Sequence, residues 1–248
     1  MGDPHQLRKS ETVADSEGAG HLAVLVAARN EANTIGPSVT ALKTVFPGAV
    51  VWVGDDGSDD GTAELAMAAG ARVISRHRPH GKGGNMTACA EAMLSDPVQP
   101  SVVLLCDADL ADSAGQLGRL VKAIEDDECD LAVAAFASRV GGGFGIALGF
   151  SAWVIRKRCG AEPIAPISGQ RAMRPEVLRA VLPFAPKYGM ETGMTIDAVR
   201  AGYRLGEYEL DLAHRATGKS LKGFLHRFRQ MLDFARVHVS RRPRRAGR

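Results

Sequence analysis

Val102-Val103-Leu104-Leu105-Cys106-Asp107-Ala108-Asp109-Leu110 is a continuous apolar run that stops at two aspartates one residue apart. It has the length of a strand and the unbroken apolar character of one buried on both faces of a parallel sheet. The aspartates then stand where that strand leaves the sheet, and ligands of open α/β sheets bind outside this carboxyl edge. Residues i and i+2 of an extended chain point the same way, so Asp107 and Asp109 are placed to share one target. Two carboxylates that close repel unless a cation lies between them. Hard oxygen donors suit Mg²⁺ or Mn²⁺, metals that commonly bridge nucleotide phosphates. A plainer reading, an aspartate turn that caps the next helix, fits the D-x-D pattern alone equally well.

The segments before this strand repeat its pattern. His21 to Ala28 reads as a first buried strand that ends in Arg29-Asn30-Glu31-Ala32-Asn33. Thr34 opens a helix whose apolar face is Ile35, Val39, Leu42 and Phe46, at helical spacing. Val50 to Val53 is a second strand, running into Gly54-Asp55-Asp56-Gly57-Ser58-Asp59-Asp60-Gly61-Thr62 and a helix from Ala63 to Ala69. Glycines there let a ligand approach the backbone, and the carboxylates can accept from a base or a ribose. So acidic a loop is a poor phosphate cradle; its alternative is a solvated N-cap cluster. Arg72 to Ile74 is a short third strand, followed by Arg76-His77-Arg78-Pro79-His80-Gly81-Lys82-Gly83-Gly84-Asn85 and a helix from Met86 to Leu94. Small residues beside Lys82 at a helix start suit an anionic group, although the spacing of a Walker A motif is absent.

After the D-x-D stretch, Ser113 to Asp126 predicts a helix and Asp130 to Ala135 another strand. The repeated β-α unit predicts an α/β protein with helices on both faces of a mostly parallel, Rossmann-like sheet. Residues 138–167 break the pattern with Gly141-Gly142-Gly143 and a basic helical piece from Trp153 to Arg158, as a mobile insertion or a plain surface loop would. A strand over Ser168 to Met173, a helix from Pro175, a helix from Met194 to Ala201 and a weak strand from Tyr203 to Leu212 follow. Glu191 falls just before the 194–201 helix, where it is either a dipole-satisfying carboxylate or a site acid. His214 stands at the exit of the last strand, a place where a structural histidine is commoner than a ligand.

Length and composition set bounds. The 248 residues make one large domain or two small ones. Residues 1–20 are polar and read as a disordered arm, and 21–218 as the main domain. The segment 219–248 is a basic amphipathic helix with a tail. The net charge of +3 conceals about +9 in that last segment and about −6 in the rest. The basic helix predicts packing on the body, on a second copy in a homodimer, or peripherally on an anionic membrane. No aromatic platform or recognised module accompanies it, so nucleic acid is not an expected partner. Four scattered cysteines without a C-x-x-C pair, and no signal-like or membrane-length apolar run, predict a cytoplasmic protein.

Taken in order, Ala28-Arg29-Asn30-Glu31, Asp55 to Thr62, Gly81-Lys82-Gly83 and Asp107-Ala108-Asp109 resemble the family 2 glycosyltransferases of the GT-A fold, over roughly residues 22 to 230. The resemblance implies transfer of a sugar from a nucleotide-sugar, with Mg²⁺ or Mn²⁺ on the diphosphate. It implies that Ala28, Asn30 and Glu31 hold the uridine end and that Asp56 meets the base or ribose. Lys82 would lie near the diphosphate, and Asp107-Ala108-Asp109 would serve ribose and metal, Asp109 being the direct ligand.

Pro166-Ile167-Ser168-Gly169-Gln170, Leu182 to Gly193 and Ala213-His214-Arg215 are similar to the glucosyl-3-phosphoglycerate synthase branch. That similarity implies UDP-glucose as donor, His214 as a further metal ligand, and Glu191 facing the acceptor, with Lys82 and Asp109 completing the catalytic set. Residues 141–158 depart from that branch. Polyprenyl-phosphate glycosyltransferases share the front half and remain the alternative, with a phosphorylated lipid in place of a small phosphorylated acceptor. A sugar-phosphate nucleotidyltransferase lacks its usual N-terminal phosphate loop here, and a non-catalytic binding protein has no need of Asp107, Asp109 and Lys82 together.

Overall fold

A computed structural model describes residues 21–136, 144–211 and 221–241. The expected arm at 1–20, the glycine run at 141–143 and His214 lie outside the described residues.

Seven strands form one sheet. They are β1 (Leu22–Ala28), β2 (Val50–Asp55), β3 (Arg72–Ser75), β4 (Val102–Asp107), β5 (Leu131–Phe136), β6 (Arg171–Met173) and β7 (Leu205–Leu210). Their order is β3-β2-β1-β4-β6-β5-β7, parallel throughout except for β6, which runs antiparallel to both β4 and β5. The helices are α1 (Ile35–Val45), α2 (Thr62–Ala68), α3 (Lys82–Leu94), α4 (Gly118–Glu125), α5 (Phe144–Cys159), α6 (Pro175–Val181), α7 (Met190–Arg200) and α8 (Leu221–Ser240). Short 3₁₀ turns at Ala111–Leu117 and Lys187–Gly189 precede α4 and α7.

Alternation along the strands divides the core in two. Val24, Val26, Val51, Val53, Leu104 and Cys106 face one layer, covered by α1 and α4. Ala23, Leu25, Val103, Leu105 and Val133 face the other, against Met86 and Met93 of α3 and Met190 and Met194 of α7. Strands apolar on both faces therefore sit under helices on both faces, as expected for buried parallel strands.

Several boundaries differ from the sequence expectation, and each difference has a local cause. Helix α3 starts at Lys82 and not at Met86, because Gly83 and Gly84 hide a helical turn from propensity. Helix α7 starts at Met190 and not at Met194, for the same reason at Gly193. The segment read as a mobile insertion contains the sixteen-residue α5. The expected 113–126 helix is a 3₁₀ turn followed by a shorter α4. Helix α8 packs Val237 with Val154, Ile155, Ala185 and Ile196, and Arg241 pairs with Asp197 at 2.6 Å. Its C-terminal half therefore rests on the body.

Candidate active site

The parallel neighbours β2, β1 and β4 deliver their exits to one edge. The loop after β1 and the loop after β2 are laced together by backbone N–H donors. Asn30 N–H donates to Ser58 Oγ at 2.9 Å, Glu31 N–H to Thr62 Oγ1 at 2.9 Å, and Ala32 N–H to Asp60 Oδ2 at 3.1 Å. Asn30 takes φ of 54°, a left-handed conformation that asparagine tolerates better than most residues. Its exposed side chain accepts from Asp59 N–H at 3.3 Å. The Glu31 carboxylate accepts from the Thr34 hydroxyl at 2.7 Å, bracing the start of α1. Ala28 and Ala108 are buried. The Ala28 carbonyl accepts from Asp56 N–H at 3.0 Å, and that of Ala108 from the Ser38 hydroxyl at 2.7 Å.

The two adjacent acids at the end of β2, Asp55 and Asp56, turn inward. Asp55 accepts from the hydroxyls of Ser58 and Ser75, the latter at 2.8 Å. Asp56 is 4% exposed and accepts from His80 N–H at 2.7 Å and Gly81 N–H at 2.9 Å. The Asp56 carboxylate thus grips the loop that feeds α3 and its first residue, Lys82. On either side of Lys82, the space that a side chain on Gly81 or Gly83 would need is filled by protein. A Cβ on Gly83 would stand 1.8 Å from the Ala185 carbonyl oxygen. Gly81 takes φ of 76°, and a Cβ there would meet Lys187 at 2.8 Å. The small residues let the 185–187 backbone press against the start of α3.

That pressing brings three charged groups together. Lys82 Nζ donates to Asp107 Oδ1 at 2.6 Å and to Glu191 Oε1 at 2.9 Å. Asp107 closes β4, Lys82 opens α3, and Glu191 lies in the first turn of α7. Glu191 is buried, whereas Asp107 is about a third exposed. Burial works against the charge on Lys82. The carboxylates of Asp107 and Glu191 outweigh it by Coulomb attraction and hydrogen bonds, and hold the ammonium well above the ordinary lysine pKa.

Two neighbours of this cluster carried no assigned role in the sequence reading. Gln170 is fully buried, and its amide donates to Asp107 Oδ2 at 3.0 Å. At Gly169 a Cβ would stand 2.7 Å from Asp107 Oδ2 and 2.8 Å from Lys82 Nζ. The available signal was a turn, Ser168-Gly169, that ends in a polar residue at the start of a short strand.

Asp109 is exposed just past the strand exit. Asp107 and Asp109 supply hard oxygen donors, the chemistry that Mg²⁺ or Mn²⁺ takes. Among the described residues no group of three His, Cys, Asp or Glu side chains is assembled around an ion position. The third expected ligand, His214, lies outside the described residues.

The arrangement has relatives. The model for glycosyl transferase family 2 matches residues 23–180. Glucosyl-3-phosphoglycerate synthase of Mycolicibacterium smegmatis is 31% identical over 220 residues, covering 77% of this chain and 69% of that protein. The synthase of Mycolicibacterium paratuberculosis is 32% identical, covering 79% of this chain and 66% of that protein. The chain therefore spans about two thirds of the length of these relatives. The crystal structure of the Mycobacterium tuberculosis synthase with Mn²⁺, UDP-glucose and glycerol 3-phosphate superposes with a TM-score of 0.69 at 25% identity. The superposition covers 91% of this chain and 82% of that one, so the sheet and its helices form a GT-A fold.

Proposed function

The chain belongs to glycosyl transferase family 2, and from that premise we propose that it moves glucose from UDP-glucose to a small phosphorylated acceptor of the 3-phosphoglycerate type. The observation that carries this reading is the bridge of Lys82 between Asp107 at the strand exit and Glu191 on α7. A cation fixed between a donor-side and an acceptor-side carboxylate suits a reaction in which a diphosphate leaves one side as a hydroxyl attacks from the other.

We assign Asp109, with Asp107 and His214, to hold Mn²⁺ or Mg²⁺. When bound, that ion supplies electrostatic neutralisation of the departing diphosphate. The remaining work falls to the chain. Lys82, charged at neutral pH, adds its ammonium to the same developing negative charge. Ala28, Asn30, Glu31, Asp56 and Ala108 frame the nucleoside, a role supported by their position at the exits of β1, β2 and β4. Glu191 orients the acceptor hydroxyl or takes its proton.

The choice of a small acceptor over a polyprenyl phosphate is supported by the synthases among the relatives. Cytoplasmic residence is supported by four free cysteines, three of them buried. Exposed Leu232 and Val239 beside Arg236 on α8 support a peripheral contact with an anionic surface as a secondary role.

Thermal unfolding with UDP-glucose, GDP-mannose and CTP, each with and without Mn²⁺, tests the donor. A ligand at 100 times its Kd stabilises by about 2.7 kcal/mol. The expected result is stabilisation by UDP-glucose that requires Mn²⁺, followed by glucosyl transfer to 3-phosphoglycerate. Stabilisation by GDP-mannose with transfer to a polyprenyl phosphate would replace this reading.

A further inference from the structure

Arg171 is a buried charge that the proposed reaction leaves unused. It lies on β6, paired with Leu105 on one side and Val133 on the other. Its side chain shares their face, among the apolar residues under α3, α6 and α7. It is 1% exposed, and among the described residues no carboxylate stands within ion-pair distance of it. An apolar side chain would avoid the desolvation that a guanidinium suffers there. Burial draws its pKa down to about 10, against the opposing pull of Glu191 and Glu207, so it stays charged at neutral pH.

The guanidinium directs its donors at two separate segments. Nε donates to the Ser168 carbonyl at 2.8 Å, and Nη2 reaches the Pro166 carbonyl at 3.5 Å. Nη1 donates to Thr195 Oγ1 at 2.9 Å, and the Thr195 hydroxyl donates in turn to the Glu191 carbonyl at 3.2 Å. The first segment leads into Gly169, which leaves room for Asp107, and Gln170, whose amide donates to Asp107. The second carries Glu191, which touches Lys82. One planar fork therefore spans both supports of the charged cluster.

We propose that Arg171 is a positioning residue: it ties the 166–168 turn to the first turns of α7 and so sets how Asp107 and Glu191 stand about Lys82. This inference rests on the reading of that cluster as the reacting site, but its test includes a readout that does not depend on that reading.

The experiment compares Arg171→Met, Arg171→Lys and Thr195→Val in the full chain. Steady-state kinetics, thermal unfolding and amide hydrogen exchange are measured on each. Arg171→Met is expected to keep Tm within about 4 °C. Its kcat falls roughly 10-fold or more, with the KM for UDP-glucose within about threefold. Arg171→Lys recovers part of the loss, and Thr195→Val reproduces part of it. Exchange quickens in 165–170 and 190–195 and stays unchanged in β1 and β2. Combined with Glu191→Gln, the methionine variant loses less in kcat than the product of the two single losses. Normal kcat in both Arg171→Lys and Thr195→Val with Arg171→Met unfolded, losses that multiply in the double variant, or exchange that quickens uniformly would each overturn the proposal. Should the wild-type protein fail to use UDP-glucose, the donor reading falls, and exchange in the two segments still decides the role of Arg171.

Discussion

Lys82 Nζ stands 2.9 Å from Glu191 Oε1, joining the first residue of α3 to the first turn of α7. Replacing Lys82 with methionine removes the cation between Glu191 and Asp107 and leaves two carboxylates without their shared partner. The expected loss in kcat is on the order of 10² to 10³, with weaker binding of the nucleotide diphosphate. Glu191→Gln should separate the two halves of the site: turnover falls while stabilisation by UDP-glucose with Mn²⁺ persists. Titration of each variant by thermal shift, beside its steady-state rate, checks both. Equal loss of donor binding in Glu191→Gln would remove Glu191 from the acceptor side.

Gly169 offers a sharper steric probe, since its φ is open to alanine and only space is at issue. A methyl there would meet both Asp107 oxygens, at 2.7 and 3.1 Å, and Lys82 Nζ at 2.8 Å. These are side-chain ends that can swing away, so the fold should survive. Gly169→Ala is expected to cost a few degrees in Tm and about 10-fold or more in kcat, because the pair is displaced from its working geometry. A variant with full activity would show that the Lys82–Asp107 contact is dispensable.

Much of this site was legible in the sequence, and the exceptions share a cause. Strands β1, β2, β4 and β5 are apolar on both faces, so their runs and exits were readable directly, and Asp107 and Asp109 with the exit of β4, while Lys82 was readable from the small residues beside it at a helix start after β3. Strand β6 has three residues, and its place between β4 and β5 depends on pairing with distant segments that no local pattern encodes. The run from Ser168 to Met173 itself predicts a strand, but the contacts of Gln170 and Arg171 depend on that place and were not legible. The glycines around Lys82 signalled close approach, but the approaching group is the 185–187 backbone. The acidic loop after β2 signalled hydrogen-bond acceptors, and the partners of Asp56 are the N–H groups of His80 and Gly81. Residue type announced the chemistry in each case, while the identity of the partner came only from the tertiary fold.

Asp109 is exposed and lies past the end of β4, so its removal costs the fold little. Asp109→Ala should unfold within about 0.5 kcal/mol of the wild-type protein while losing metal-dependent turnover. Isothermal titration with Mn²⁺ in the presence of UDP measures the metal directly. Near-normal turnover in this variant would sink the metal assignment.

Gly83 tests whether the seat of α3 matters to stability. Its Cβ would fall 1.8 Å from a backbone oxygen, that of Ala185, which cannot rotate aside. Gly83→Ala should destabilise by about 3 kcal/mol, as overpacking at a rigid contact does. Gly118→Ala in α4 is the control: nothing lies within 4 Å of its Cβ, and helix propensity favours it by about 0.5 kcal/mol. Urea midpoints of the two variants should move in opposite directions. A shift of Gly83→Ala no larger than the control's would mean that α3 and the 185–187 chain do not hold each other.

The charge on Lys82 also fixes a pH dependence. Its folded pKa is held above the ordinary lysine value of 10.5, by Asp107 and Glu191 against the penalty of burial. The folded chain therefore binds this proton more tightly than the unfolded one. The resulting stabilisation is complete at pH values below 10.5 and drains away as the pH rises past it towards the folded pKa. Lys82→Met lacks that contribution at every pH. The gap in unfolding free energy between the wild-type protein and Lys82→Met should hence stay level from about pH 7 to about pH 10, then narrow at higher pH. Urea titrations of both proteins at a series of pH values read the gap directly. A gap that widens with rising pH would mean that Lys82 is neutral in the folded protein, and the charged bridge between Asp107 and Glu191 would have to be abandoned.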